Sequence, residues 1–274
     1  MFLILPENNY FCISLRQKRN MSDILNILYK LKIFTLQELT QALDGKVTSV
    51  ASLLTRYKQK GWIIQIRRNT FCMIDFASGL PTCNKFEIGS HLSETACISY
   101  HSALEFHGLA HQPFNEVFVK SISRFNSFLF DSVNYTYCRQ TVENIGMISP
   151  LGNPYIKVTD LESTLIDCFD RIDRAGGVEE LLHCMEGIYL LNEEKIKYYL
   201  SIYNKSFLYQ KTGFLLEQIK EQANISDDLI DFCRKKSGNH VKWLVNSEES
   251  DAFVNKWRMY VPQNLKYKED YELI

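Results

Sequence analysis

Residues 35–74 read TLQELTQALDGKVTSVASLLTRYKQKGWIIQIRRNTFCMI, and the fold of the first part of the chain is decided there. Thr35 with Glu38 three residues on is a capping box, which satisfies orphaned amides and opens a helix with Leu36, Leu39 and Leu43 on one face. Asp44 and Gly45 end it. A further helix begins near Thr48, carries Val50, Leu53, Leu54 and Tyr57 inward, and stops at Gly61 with Lys58 and Lys60 in its last turn. After Gly61 the helical period is lost. Trp62 to Ile66 and Phe71 to Ile74 are β-prone runs joined by Arg67, Arg68, Asn69 and Thr70, the pattern of a hairpin with a basic turn. Upstream, Ser22 ahead of Ile24, Leu25, Ile27, Leu28 and Leu31 predicts the N-cap of a first helix. Three short helices followed by a hairpin predict a winged helix-turn-helix over residues 21–80. In that motif the third helix enters the major groove and the hairpin lies over the adjacent backbone.

Charge follows the same division. Residues 1–80 hold 11 Lys plus Arg against 5 Asp plus Glu, and the remainder holds 20 against 27, so a formal net charge of −1 conceals nets of +6 and −7. No carboxylate occurs from Gly45 to Ile74, where Lys46, Arg56, Lys58, Lys60, Arg67 and Arg68 all fall. Such a stretch attracts phosphate even in a nearly neutral protein. The expected DNA-contacting residues are Lys46, Thr48 and Ser49 at the head of the third helix, Ser52, Thr55, Arg56 and Lys58 along its polar side, and Arg67, Arg68 and Asn69 on the wing. Arg56 is the candidate base reader and Lys46 the candidate phosphate contact. The alternative is a winged helix used for protein contacts, with its cations merely solvated.

At 274 residues the chain can bury a sizeable core, and 46% hydrophobic with 23% charged residues excludes wholesale disorder. No apolar run approaches the length of a membrane span, and no signal peptide is legible. Eight cysteines without CxxC spacing read as reduced thiols of a cytoplasmic protein rather than a disulfide framework. The adjacent His183 and Cys184 point to different sides of a helix, so no zinc site is expected. Met1 to Asn20 reads as an extension the fold does not need, with Met21 as the functional start.

Residues 85–274 read as a mixed domain, giving an α+β protein overall. Ser99 caps a helix that Gly108 ends; Val117 to Ile122, Val133 to Arg139 and Ile156 to Val158 read as strands; Thr159 with Glu162 predicts another capping box. Asp160, Glu162, Asp167 and Asp170 raise a Mg²⁺-dependent nuclease reading, because paired carboxylates hold metal for phosphodiester chemistry. Helix capping accounts for most of them. His101, His107 and His111 cluster in sequence without a matching nucleophile. Neither a Walker loop nor a dinucleotide fingerprint is present, so no cofactor is expected.

Several motifs, in order, resemble the AbiEi-type antitoxins of bacterial abortive-infection (type IV) toxin-antitoxin systems. They are Gly61-Trp62-Ile63, the run from Ile98 to Leu109, Val117-Phe118-Val119, the run from Lys157 to Cys168, Ala175-Gly176-Gly177, Thr212 to Glu217, and Trp257 to Pro262. The resemblance runs from Met21 nearly to the end, with the family's basic wing residues falling on Arg67 and Arg68. It implies a non-enzymatic, two-domain transcriptional repressor. Its winged helix would bind double-stranded operator DNA and repress its own operon, and its C-terminal domain would counteract a nucleotidyltransferase-like toxin in phage defence. The residues alone leave two rivals: a winged-helix transcription factor with a ligand- or protein-sensing second domain, and the Mg²⁺-dependent nuclease.

Overall fold

A helix needs partners for its first amide groups, and in the first unit side chains supply them. The structure is a computed structural model that describes residues 21–45, 47, 49–142 and 145–266. The expected extension Met1 to Asn20, and Lys46 and Thr48 among the expected DNA contacts, lie outside these residues. Two units meet in sequence at Leu92 and Ser93. The first contains helix α1 (21–31), β1 (Ile33–Thr35), α2 (Leu36–Leu43), α3 (Val50–Gln59), β2 (Ile63–Arg67), β3 (Thr70–Met73) and α4 (Lys85–Ser90). The sequence pattern assigns α4 to the second domain; in the structure it groups with the first.

Thr35 and Glu38 form the expected reciprocal box, with the Thr35 hydroxyl accepting from the Glu38 amide at 3.2 Å and Glu38 Oε2 accepting from the Thr35 amide at 2.6 Å. Ser49 caps α3 by accepting from the Ser52 amide at 3.3 Å. Asn84 and Glu87 make a second box ahead of α4. Ser22, by contrast, already lies within α1 and is not its N-cap. The strands form an antiparallel sheet in the order β1-β3-β2. Leu28, Phe34, Leu39, Leu43, Leu53, Tyr57, Ile63 and Met73 fill the core beneath it.

The second unit contains β4 (Cys97–Ile98), α5 (Tyr100–Phe106), β5 (Glu116–Ser121), β6 (Phe128–Phe130), β7 (Val133–Arg139), β8 (Met147–Ile148), β9 (Val158–Thr159) and α6 (Leu161–Asp170). Helices α7 (Val178–Glu186), α8 (Glu193–Tyr203), α9 (Ser206–Gln218) and α10 (Asp227–Lys236) follow, then β10 (Lys242–Trp243), β11 (Ala252–Val254), β12 (Met259–Val261) and α11 (Gln263–Lys266). Among the described residues the larger sheet is mixed, in the order β6-β7-β5-β4-β9-β8, with β5 parallel to β7 from Glu116 opposite Asn134 to Ser121 opposite Arg139. The fold class is α+β. No helix of the described residues is long and apolar enough to cross a membrane.

The cap of α6 departs from expectation by one residue. Asp160 accepts from the Ser163 amide at 2.9 Å, whereas the Thr159 hydroxyl, at the end of β9, meets the Thr164 hydroxyl at 2.7 Å. Glu162 does not close a box; its Oε1 accepts from the Asn192 amide at 2.9 Å.

Two buried features hold the second unit together. Lys120 on β5 donates to both oxygens of Asp167 on α6, at 2.8 and 2.9 Å, and to the Tyr203 hydroxyl on α8 at 3.1 Å. Burial works against its charge, but Asp167 outweighs burial and lifts the ammonium pKa above its ordinary value. Trp257 lies flat against α9 where Gly213 has no side chain, and a Cβ there would sit 2.0 Å from the ring. Gly213→Ala is therefore expected to destabilise the protein by about 1–3 kcal/mol or more in denaturant unfolding. Gly187→Ala meets only the flexible Leu109 side chain, at 2.9 Å, and should cost less in the same assay. Lys120→Met strands a buried carboxylate and is expected to cost about 3–5 kcal/mol, read as a lowered denaturation midpoint with an unchanged m-value.

Candidate nucleic-acid interface

The outward side of α3 is polar because its inward side takes all the large apolar residues: Leu53, Leu54 and Tyr57 are buried, while Ser49, Ser52, Thr55, Arg56 and Lys58 are exposed. Ser49, Ser52 and Arg56 recur at helical spacing on one stripe. The hairpin begins beyond Gly61, whose φ of 68° suits a residue without a side chain. A depression of about 290 Å³ lies between helix and hairpin, lined in part by Ala51, Thr55, Lys58, Gln65 and Asn69. On the other side of β2 a broader concavity of about 630 Å³ brings Lys58, Arg67 and Arg68 to one surface.

The expected wing residues do different things. Arg68 is exposed at the hairpin tip. Arg67 is half-buried, with its guanidinium on the Leu92 carbonyl and its Nε 3.4 Å from the Thr70 hydroxyl. Burial lowers the Arg67 pKa from its ordinary value. Arg67 thus ties the tip end of the hairpin to the Leu92 carbonyl instead of presenting a free cation. Asn69 takes a left-handed φ of 63°, and its Oδ1 accepts from the Leu36 amide at 3.2 Å, tying the tip to the start of α2.

Three cations of this surface rest on neutral groups. Arg56 lies over the Tyr57 ring at 5.4 Å, Lys60 over the Trp62 ring at 4.4 Å, and Lys58 donates to the Gln65 amide oxygen at 2.7 Å. Among the described residues none of Arg56, Lys58, Lys60 and Arg68 is paired with a carboxylate. In the second unit Lys120, Arg171, Lys195, Lys197, Lys205, Lys220 and Lys256 are so paired, whereas Arg174 lies over the Tyr100 ring and Arg258 donates to the Asn239 carbonyl.

The acidic motif of α6 is occupied internally. Lys195 contacts Asp160 at 2.9 Å and Glu162 at 3.6 Å, and the Tyr199 hydroxyl donates to Asp160 at 2.7 Å. Asp167 is consumed by Lys120 and Tyr203, and Asp170 by Lys205 at 2.6 Å. Asp160 and Glu162 share Lys195, whereas Asp167 and Asp170 face Lys120 and Lys205, so the four carboxylates are divided among three cations.

Two further arrangements escape the sequence pattern. Tyr100, Lys120, Arg139, Gln140 and Tyr203 help to line a pocket of about 230 Å³, and the Gln140 side-chain oxygen is buried without a partner. The fold also brings His101 of α5 to Glu180 and Cys184 of α7. His101 Nε2 donates to Glu180 Oε1 at 3.0 Å and the Cys184 thiol donates to the same oxygen at 3.5 Å. The Glu180 and Cys184 spacing of one helical turn was a legible signal; the approach of His101, 79 residues away, was not. His107 donates instead to the Thr159 carbonyl at 2.8 Å, and His111 stacks on His183.

No protein-family model matches the chain, and no curated protein matches it in sequence. Among solved structures, the RV2827C protein from Mycobacterium tuberculosis is similar, with a TM-score of 0.59 and 15% sequence identity over 88% of this chain and 90% of that one. At that identity the likeness concerns the fold alone.

Proposed function

We propose that the chain is an autoregulatory DNA-binding antitoxin of the AbiEi type. Its first unit would act as a winged helix-turn-helix on operator DNA, and its second unit would counteract a nucleotidyltransferase-like toxin. The observation that carries the DNA-binding part is the set of cations at α3 and the hairpin, Arg56, Lys58, Lys60 and Arg68, none of which is paired with a carboxylate among the described residues. Support for the motif comes from the order α1-β1-α2-α3-β2-β3 and the sheet order β1-β3-β2. The antitoxin part rests on the motif resemblance from Ile98 to Leu109 and from Lys157 to Cys168.

In this reading α3 enters the major groove, Ser49 and Ser52 donate to phosphate, Arg56 reaches a base edge, and Arg68 contacts the backbone beside it. Arg67 holds the hairpin in position. A second reading, favoured by the pocket with the unpartnered Gln140 oxygen, is a DNA-binding regulator whose second unit senses a small ligand. A nucleotidyltransferase gene directly downstream, with growth rescued on co-expression, favours the antitoxin; the absence of such a gene favours the sensor.

The deciding experiment is a salt-titrated mobility shift of the full chain against its own upstream region and a scrambled control. Preferential binding that weakens with salt is expected, and equal weak binding to both would sink the operator-reading role. Arg68→Ala should lower affinity for both DNAs and reduce the salt slope by about 1. Arg56→Ala should cost about 1–3 kcal/mol on the upstream region and less on the control. For Arg67→Ala the expectation is different: a lower melting temperature, with the salt slope of the remaining folded protein close to wild type. A full unit of slope lost in Arg67→Ala would return that residue to the phosphate-contacting set.

A further inference from the structure

The described residues bring three metal-ligating side chains together at one point in the second unit. His101 Nε2 lies 3.0 Å from Glu180 Oε1, Cys184 Sγ lies 3.5 Å from the same oxygen, and the three ligand atoms all fall within 4.8 Å of one another. A triangle with those sides has a centre about 2.4 Å or less from each corner, against zinc bond lengths of about 2.0–2.1 Å to nitrogen, 2.0–2.2 Å to carboxylate oxygen and 2.3 Å to sulfur. A zinc ion is therefore accommodated by shifts of a few tenths of an ångström.

Hydrogen bonding alone accounts poorly for this arrangement. Glu180 Oε1 is the common acceptor for His101 Nε2, the Cys184 thiol and the amides of His111 and Gln112, the last two at 3.0 and 3.2 Å. Four donors exceed what one carboxylate oxygen accepts well. With a cation at the centre, the crowding is relieved. His101 and Cys184 bind the ion beside Glu180, and the two amides remain on the carboxylate as the outer contacts that fix a ligand's orientation. The His101 ring is already held by stacking on Phe114, 3.8 Å away and 11° from parallel.

We infer that His101, Glu180 and Cys184 form a zinc site that joins α5 to α7. Imidazole, carboxylate and thiolate together suit zinc better than the oxygen-seeking magnesium or calcium. His111 lies beside this cluster, with a side chain 59% exposed and its Nδ1 3.9 Å from Glu180 Oε2. Proton balance is simple. Burial pushes the Cys184 thiol up to about 12, so the metal-free protein holds the thiol; zinc forms its bond to sulfur as that proton leaves to solvent. The His101 ring proton passes from Nε2 to Nδ1, freeing the Nε2 lone pair. Affinity accordingly rises with pH.

The test is a cobalt(II) titration of the full chain after dialysis against a chelator, followed by displacement with zinc(II). The expected result is one equivalent of cobalt with tetrahedral d–d bands and a thiolate-to-cobalt charge-transfer band, all abolished by one equivalent of zinc. Cys184→Ser, checked for a wild-type far-ultraviolet circular dichroism spectrum, is expected to lose the charge-transfer band. Zinc should raise the melting temperature of wild type and not of that variant. No stoichiometric cobalt spectrum in wild type overturns the site, and so does a charge-transfer band that persists in Cys184→Ser, since it would come from another of the cysteines.

Discussion

An ammonium group without water has to be given a carboxylate, and the second unit is arranged around that requirement at Lys120. Its side chain is 5% exposed and that of Asp167 is 0%, so solvation cannot replace either partner if the other moves. Desolvating such a pair costs several kcal/mol per ion, and only close geometry with further hydrogen bonds offsets it. The Tyr203 hydroxyl supplies the additional bond. Strand β5 and helices α6 and α8 are thereby fixed by one small cluster. The consequences run along both helices: Tyr203, Tyr199 and Lys195 recur every fourth residue on α8, and Asp167 and Asp160 are seven apart on α6. Both spacings keep one helical face. The pairing that begins at Lys120 therefore continues at the other end of α6, where Tyr199 and Lys195 meet Asp160. Within the run from Lys157 to Cys168, Asp160 and Asp167 thus serve to pack α6 against α8.

Strain is concentrated where the same layer turns. Tyr100 has a φ of 54°, an unfavourable conformation for an aromatic residue. It is held there by burial, an edge contact with Phe118 and the Arg174 guanidinium 5.0 Å from its ring. Such a conformation costs on the order of 1–3 kcal/mol and persists only where the surroundings determine it. Tyr100 is the first residue of α5, so the second, His101, is carried to α7, where it meets Glu180.

Local chemistry made the first unit readable. The Thr35 and Glu38 box, the inward stripe of α3 and the alternation after Gly61 each depend on residues within one turn or one strand of each other. Strand β1 was missed because three residues show no period, and it exists only through pairing with β3. Arg67 and Arg68 look alike in sequence; the bulge between Gln65 and Arg67 and the Leu92 carbonyl turn one inward and leave the other exposed. At α6, Thr159 and Asp160 are both good caps, and the choice was made by β9, which engages Thr159 in the strand. Asn84 and Glu87 form an overt capping signal that the domain boundary at 85 cut in two. The cluster of His101, Glu180 and Cys184 was hidden because its first member arrives through the tertiary fold, while attention to the adjacent His183 and Cys184 pointed away from the pair one turn apart.

The cations of α3 and the hairpin are handled differently from the ion-paired lysines of the second unit. Ion pairs in the second unit range from the buried Lys120 to exposed pairs such as Lys220 with Asp227, and their charges are balanced within the unit. On α3 and the hairpin, aromatic faces and an amide oxygen support the cationic side chains without neutralising them. Clustered like charges repel one another, and at physiological ionic strength the screening length is about 8 Å, so neighbours on one helix and its adjoining hairpin still interact. A surface shaped only by stability would have placed a glutamate somewhere between Gly45 and Ile74, where one helix-spaced pair contributes about 0.2–0.5 kcal/mol. Its absence over that whole stretch keeps the field undivided, which is the charge complementarity that the proposed DNA-binding role requires.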